Sequence, residues 1–312
     1  MNKYYNPDFA ENSIDAVVLA GKSKLIVQDN LNIAYPCFPI YNSYLSPLYH
    51  IENMNPPEPI DKAGIDYKAI IKIDGKPMVN YVMEALAESS YTKNIYVVGE
   101  EDRLNKVDIQ RGKEKIKFVD DKGSFVDNLI EGGNESRTKK ILYSTSDIPL
   151  ITSKDVDSFI EGCSHRRDGH FYLAYYLKED YEKNFSGVKS GKFYQLGNKF
   201  VKNGYLFMLD RDFLNEINKN KAMRNIIAFL YSGRKKRLWP YLKLLIPRYL
   251  SFASLSLLIK YMRRTLTIDE AEKILSGIIK HNIVAIKSSS QVGIDVDSYE
   301  ELQNIEKIIK KQ

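Results

Sequence analysis

Short, nearly unbroken apolar runs alternate along this chain with stretches whose apolar residues recur every three or four positions. Residues 14–20 form the first run and stop at Gly21, the pattern of a strand buried on both faces of a parallel sheet. Residues 67–77 lead to Pro77, which can open a helix at its first turn, and Met78, Val82, Met83 and Leu86 then share one face. Residues 94–99 give the next strand, with a helix expected after Glu100. Residues 116–119 are a strand, and residues 124–131 a helix that Gly132-Gly133 should end. Residues 139–147 are a further apolar strand that runs straight into Asp147 and then Pro149. Strands alternating with helices imply right-handed crossovers and a mainly parallel sheet, hence an α/β fold.

Past this point the rhythm changes. Ser153 or Asp155 caps a helix reaching about Gly162. Residues 169–177, 192–196 and 202–209 then alternate Tyr and Phe with polar positions around a turn at Ser190-Gly191, which predicts an antiparallel edge or flap. Residues 211–279 are helical in pattern, with interruptions at Gly233, Pro240 and Pro247. Residues 282–287 are the last strand. Ser298 and Glu301 form a capping-box pair that opens an amphipathic final helix just after Asp295 and Asp297. We therefore expect one domain over residues 1–312, with a helical basic subdomain at 211–280 inserted before the last strand. Residues 22–66 break both rhythms. They hold six of the eleven prolines together with Tyr35, Tyr41, Tyr44 and Tyr49, and read as an irregular excursion or lid.

A chain of 312 residues with 44% hydrophobic and 28% charged residues has the balance of a folded globular protein, which excludes a disordered one. Cys37 and Cys163 are far apart with no CxxC spacing, so neither a disulfide framework nor a zinc site is expected, and a reducing compartment fits. The first residues lack the apolar core of a signal peptide, and the expected location is cytoplasmic.

Charge changes the picture more than composition does. Residues 217–268 carry twelve Lys or Arg and no Asp or Glu; against a net charge of +6, this leaves the remainder at −6. Within residues 234–264 the basic positions are interleaved with Leu238, Trp239, Leu242, Leu245 and Ile246, without a nucleic-acid reading motif, so no nucleic-acid partner is expected. The longest uncharged run there, 249–259, is far short of the roughly 20 residues that cross a bilayer. Two readings remain: a helical cap whose apolar face packs on the sheet, or a peripheral contact with an anionic membrane or a lipid-linked substrate.

The candidate chemistry begins at Asp147. In an open α/β sheet, ligands bind in the crevice beyond the carboxyl ends of the strands, where a carboxylate can hold a divalent metal on a phosphate; the alternative is a turn former before Pro149. Four segments in order then carry a resemblance. These are Val18-Leu19-Ala20-Gly21; Lys68-Ala69 with Gly75-Lys76-Pro77-Met78; Ser146-Asp147-Ile148-Pro149-Leu150; and Asp295-Val296-Asp297-Ser298 continuing to Leu302. Together they span about two thirds of the chain and resemble the nucleotidyltransferases of the MobA-like type, relatives of molybdenum-cofactor guanylyltransferases and of cytidylyltransferases that activate alcohols and sugars.

The resemblance implies a GT-A-like, Rossmann-related sandwich that transfers NMP from an NTP to a phosphorylated acceptor and releases pyrophosphate. It implies that Lys68 sits against the phosphates, that Asp147 and Asp295 hold Mg2+, and that Leu19, Ala20, Gly21 and Lys22 line the nucleotide. Asp297 is a further metal candidate, with favouring the positive end of the last helix as its other role. Ser124 and Asn128 resemble the segment beside the base and ribose, although Ser124 also suits a helix cap. Lys202 falls where relatives contact the acceptor. The chain departs from the family after Gly21, where a second glycine and an arginine usually follow. Here Lys22, Ser23 and Lys24 stand, and the first arginine is Arg103. Either Lys22 or Lys24 supplies the charge, or the proline-rich excursion holds the nucleotide differently, or catalysis has been lost. The rivals are a GT-A-type glycosyltransferase, whose Asp-X-Asp pattern would follow the middle strand, and a catalytically impaired nucleotide-binding sensor.

The membrane reading of residues 234–264 has a direct measurement. If it holds, the protein floats with liposomes containing anionic lipid and is released by salt; flotation that is absent, or indifferent to salt, rules it out.

Overall fold

The computed structural model describes residues 7–10, 13–21, 67–166, 168–185, 193–232, 256 and 259–311. The excursion at 22–66 with Lys22 and Lys24, the turn at Ser190-Gly191, the interruptions at Gly233, Pro240 and Pro247, and most of the basic segment 234–264 lie outside the described residues. Among the described residues no helix is long and apolar enough to cross a membrane.

In chain order the strands are β1 (Ile14–Leu19), β2 (Lys72–Ile73), β3 (Lys76–Pro77), β4 (Thr92–Gly99), β5 (Ile116–Asp120), β6 (Lys140–Thr145), β7 (Phe171–Leu177), β8 (Tyr194–Leu196), β9 (Lys199–Asp210) and β10 (Ile283–Lys287). β1 runs through the middle of the large sheet, with β4 and β6 parallel on its two sides. β5 lies beyond β4; β9, β7 and β10 follow beyond β6. The β4–β5 and β7–β10 pairs are also parallel. β9 runs against its neighbours. The fold is thus α/β, with a mostly parallel sheet flanked by helices.

The antiparallel strand corrects one expectation, since β9 is not an edge: it threads between β6 and β7, and among the described residues only the short β8 hangs off it. Leu206, Phe207, Met208 and Leu209 are all buried, and four consecutive apolar residues need cover on both faces, which an edge hairpin cannot give.

Alternate residues of β1 feed two cores. Ala16 and Val18 meet α1 (Met78–Ala87) and α4 (Ser153–His165) through Val82, Met83, Val156 and Phe159. Val17 and Leu19 meet α3 (Phe125–Glu135), α6 (Arg211–Lys219), α7 (Lys221–Ser232) and α8 (Ile268–Ile279) on the other face. The described residues also include α2 (Glu101–Leu104), a single turn, α5 (Lys178–Asn184), which the sequence pattern did not suggest, and α9 (Tyr299–Ile309).

Two boundaries also differ from expectation. α4 is capped by Thr152, whose hydroxyl and the Asp155 carboxylate bond each other's backbone N–H groups, and it runs on to His165. α3 does not stop at Gly132-Gly133 but continues through them to Glu135. The reason is packing. A Cβ on Gly132 would lie 2.5 Å from Val17 Cγ1 and 2.7 Å from Val98 Cγ2; one on Gly133 would lie 2.3 Å from the Tyr143 hydroxyl. These glycines let the helix approach the sheet, and their presence mimics a helix stop.

Gly132→Ala therefore sets two effects against each other. The substitution improves helix propensity by about 1 kcal/mol, whereas overpacking a close-packed core costs about 1–3 kcal/mol. We expect a net loss of stability, read as a lower urea midpoint at unchanged slope; a gain would show that the helix can lift off the sheet freely.

Candidate active site

The parallel strands deliver their carboxyl ends to one edge. The β1–β6 ladder continues one residue past its end, where Ser146 N–H donates to Leu19 C=O at 3.3 Å, and Asp147 follows. The Asp147 carbonyl accepts from Val296 N–H at 3.1 Å, stitching this strand end to a segment far away in the chain. That segment is extended and alternates. Ile294 and Val296 are buried with Ile73, Met78, Leu150, Tyr176 and Ile305, which directs Asp295 and Asp297 the other way. Gly293 is pressed against the Tyr176 ring, whose hydroxyl donates to the Gly293 carbonyl at 3.1 Å.

The start of α9 departs slightly from a closed capping box. Ser298 Oγ accepts from Glu301 N–H at 3.3 Å, but the Glu301 carboxylate takes the Asp297 N–H at 2.8 Å and the Ser298 hydroxyl at 3.0 Å. The effect is to fix the backbone of Asp297.

The result is a compact group of charges. One carboxylate oxygen from each of Asp147, Asp295 and Asp297 lies within 4.8 Å of the others. Lys68 Nζ stands 2.6 Å from Asp147 Oδ2 and 2.7 Å from Asp297 Oδ1. Tyr205, on β9, donates its hydroxyl to Asp295. Lys68 belongs to a 3-10 turn, Lys68–Ile70, and its neighbours Tyr67 and Ala69 are 2% and 1% exposed.

Electrostatics follow from this crowding. Burial alone would lower the Lys68 pKa, but the carboxylates of Asp147 and Asp297 outweigh it and hold the ammonium above its ordinary range. Burial, and next the charges of Asp147 and Asp297, push Asp295 up to about 7, against the pull of the Tyr205 hydrogen bond and Lys68. With every group ionised, three carboxylates and one ammonium leave two negative charges, which one divalent cation would neutralise. The donors suit such an ion: all are oxygens, and ligands at about 2.1 Å from Mg2+ stand roughly 3–4 Å from each other, so a modest closure is enough. Asp147 Oδ1 is buried without a hydrogen-bond partner, an arrangement that costs free energy unless a cation or donor meets it.

A second set of expected residues surrounds Gly21. A Cβ there would lie 2.2 Å from Asn128 Nδ2 and 3.0 Å from Asp121 Oδ1, so only glycine lets the exit of β1 pass this close. Both ends of the Asn128 amide are engaged: Nδ2 donates to Asp121 Oδ1 at 2.8 Å, and Oδ1 accepts from Lys122 N–H at 2.7 Å. Ser124 caps α3 by accepting from Asp127 N–H at 3.1 Å. Leu19 and Ala20 are buried, with the Ala20 N–H bonded to Val98 C=O.

Tyr67 connects this region to the carboxylates. Its phenol oxygen accepts from Glu100 N–H at 3.2 Å and lies over Gly99, where a Cβ would come within 2.3 Å. Lys202 is on β9 opposite Tyr176, half-buried. The structure therefore brings Lys68, Asp147, Asp295 and Asp297 together and sets Gly21, Ser124 and Asn128 on the same edge. Tyr205 was not among the expected residues; in a chain with 22 tyrosines, one more within an apolar strand carried no signal.

No protein family and no curated protein sequence matches this chain. Among solved structures it is similar to a hypothetical transferase from Thermus thermophilus, at 21% identity and a TM-score of 0.61 over 92% of this chain and 98% of the other. It is also similar to CMP-2-keto-3-deoxy-manno-octonic acid synthetase in complex with CTP, at 14% identity and a TM-score of 0.52 over 96% and 99%. At such identities the likeness is one of fold.

The raised Asp295 pKa predicts a pH signature in metal-free protein. Between pH about 4 and about 7 the folded chain holds a proton that the unfolded chain has released, so this group's contribution to stability is lost as pH rises through that window. Asp295→Asn removes the effect. Its advantage over wild type, measured as Tm in chelator, should grow from pH 5 to pH 8; parallel curves would contradict the assignment.

Proposed function

We propose that this chain is an enzyme, a Mg2+-dependent nucleotidyltransferase that transfers NMP from an NTP to a phosphorylated acceptor such as a sugar phosphate, an alcohol phosphate or a cofactor precursor. The observation that carries the reading is the convergence of Asp147, Asp295, Asp297 and Lys68 at the carboxyl edge of a parallel sheet. A fold shared with a synthetase solved with CTP supports it, as do the four ordered segments that resemble the MobA-like type.

In the reaction, an acceptor phosphate oxygen forms a bond to the α-phosphorus while the bond to the α–β bridging oxygen breaks, and pyrophosphate leaves with the electron pair. The attacking phosphate is already anionic, so the chain has little proton transfer to perform. Its task is to hold several negative charges together in line. Mg2+, held by Asp147, Asp295 and Asp297, would neutralise charge on the phosphate oxygens. Lys68 supplies the second cation from the same edge. Gly21 lets the Asn128 amide and the Asp121 carboxylate pack against the exit of β1, and the amino end of α3 beside it presents N–H dipoles that favour an anion. Lys202 is the candidate for the acceptor phosphate, and Lys22 for the nucleotide.

CTP, GTP, UTP and ATP are to be screened by binding and by pyrophosphate release against a panel of phosphorylated alcohols and sugars. We expect one base to be preferred, and Asp147→Asn or Asp295→Asn to lower metal-dependent turnover about 100-fold or more, with circular dichroism unchanged. If no NTP binds, the proposal fails. Binding without turnover across the panel points instead to the sensor, a reading motivated by the residues that follow Gly21; binding of nucleotide-sugars alone points to the glycosyltransferase.

A further inference from the structure

Lys68 does something in this site beyond waiting for a phosphate. Its ammonium bridges Asp147 Oδ2 and Asp297 Oδ1 at 2.6 and 2.7 Å, so it bonds two of the three carboxylates that would hold the metal. An ammonium at that distance and a divalent ion on the same carboxylates repel each other strongly in a low-dielectric crevice. Asp147 keeps Oδ1 without a hydrogen-bond partner, but the Asp297 oxygen in the bridge cannot serve both cations at full strength.

Resting on the nucleotidyltransferase reading, we infer that Lys68 is an internal cation that competes with the metal for Asp147 and Asp297 and yields to it when an anionic polyphosphate draws the ammonium away. The geometry favours this exchange. Lys68 lies on a short turn whose backbone is pinned by buried Tyr67 and Ala69, so a swing of the flexible side chain moves the charge without moving the fold. Metal and polyphosphate then bind cooperatively. Each removes an obstacle to the other: polyphosphate relieves the carboxylates of the ammonium, and the metal releases the ammonium to polyphosphate. In metal-free protein the bridge also offsets the repulsion between Asp147 and Asp297. The site is held in shape before substrate arrives, and neither ligand alone binds at full strength.

The test uses the full chain and Mn2+ as the probe, with bound metal counted by electron paramagnetic resonance in the absence of nucleotide. Lys68→Met removes the ammonium and keeps the apolar stem; Lys68→Gln is the second variant should the first fold poorly. We expect either variant to bind Mn2+ about tenfold more tightly than wild type. Inorganic triphosphate, with free Mn2+ buffered, should tighten Mn2+ binding to wild type by a larger factor than to the variants, which have no ammonium to draw away. Equal or weaker Mn2+ binding by the variants overturns the inference. Adding Asp147→Asn to each protein separates the two levels. If it abolishes Mn2+ binding while the Lys68 variants match wild type, the metal site stands and the competition does not; if it has no effect on Mn2+ binding, the metal reading itself is wrong and the competition falls with it.

Discussion

Carboxylates crowd into so small a volume only when positive charge compensates them, and Lys68 supplies it to two of the three, Asp147 and Asp297. Its two ion pairs join three pieces of chain remote from one another: the turn after the excursion, the end of β6, and the stretch before the last helix. Neither half of the arrangement is stable alone. A partly buried ammonium without acids would be driven to lose its proton, and partly buried acids without a cation would be driven to take one up. The raised Lys68 and the raised Asp295 express the same condition: the first acid pair is compensated, while the third acid is left in excess.

What brings the pieces together is the direction of the strands. β1, β4 and β6 are parallel neighbours, so their carboxyl ends form one edge irrespective of how much chain lies between them. The outer part of the sheet adds its own contribution through β9. Because it runs the opposite way, its path from the edge inward places Tyr205 near that end while Leu206–Leu209 continue into the core. A reversed strand inside an otherwise parallel sheet thereby supplies a hydroxyl to the crevice from an element that a uniform α/β alternation would not have offered.

The legible part of the sequence was the part where local pattern and tertiary role coincide. The run at 14–20 and the apolar centre of β6, residues 141–143, reflect central strands covered on both faces, and the terminal helix announces itself through Ser298. The proximity of Asp147 and Asp295 follows from the parallel sheet plus the place where that helix begins. Other features were hidden because the same residue serves opposite ends in different settings. Gly132 and Gly133 have the chemistry of a helix stop and are used for close approach. Lys68 sits in a 3-10 turn between Tyr67 and Ala69, both claimed by the core, a setting that no local apolar pattern announces. Tyr205 depends on a pairing that no local window contains.

The site also shows how a sequence can fix charged side chains without encasing them. Each member is adjacent to a residue that the core holds: Lys68 lies between Tyr67 and Ala69, Asp147 precedes Ile148, and Asp295 and Asp297 flank Val296, all of these neighbours at most 2% exposed. Backbone bonds complete the restraint, with Val296 tied to Asp147 and Asp297 tied to Glu301. The apolar neighbours take their anchoring from the hydrophobic effect, so the charged groups need not supply it from their own interactions. Lys68, Asp147 and Asp297 remain partly open to solvent while neighbours in the core hold their backbone, which is the combination that electrostatic preorganisation requires.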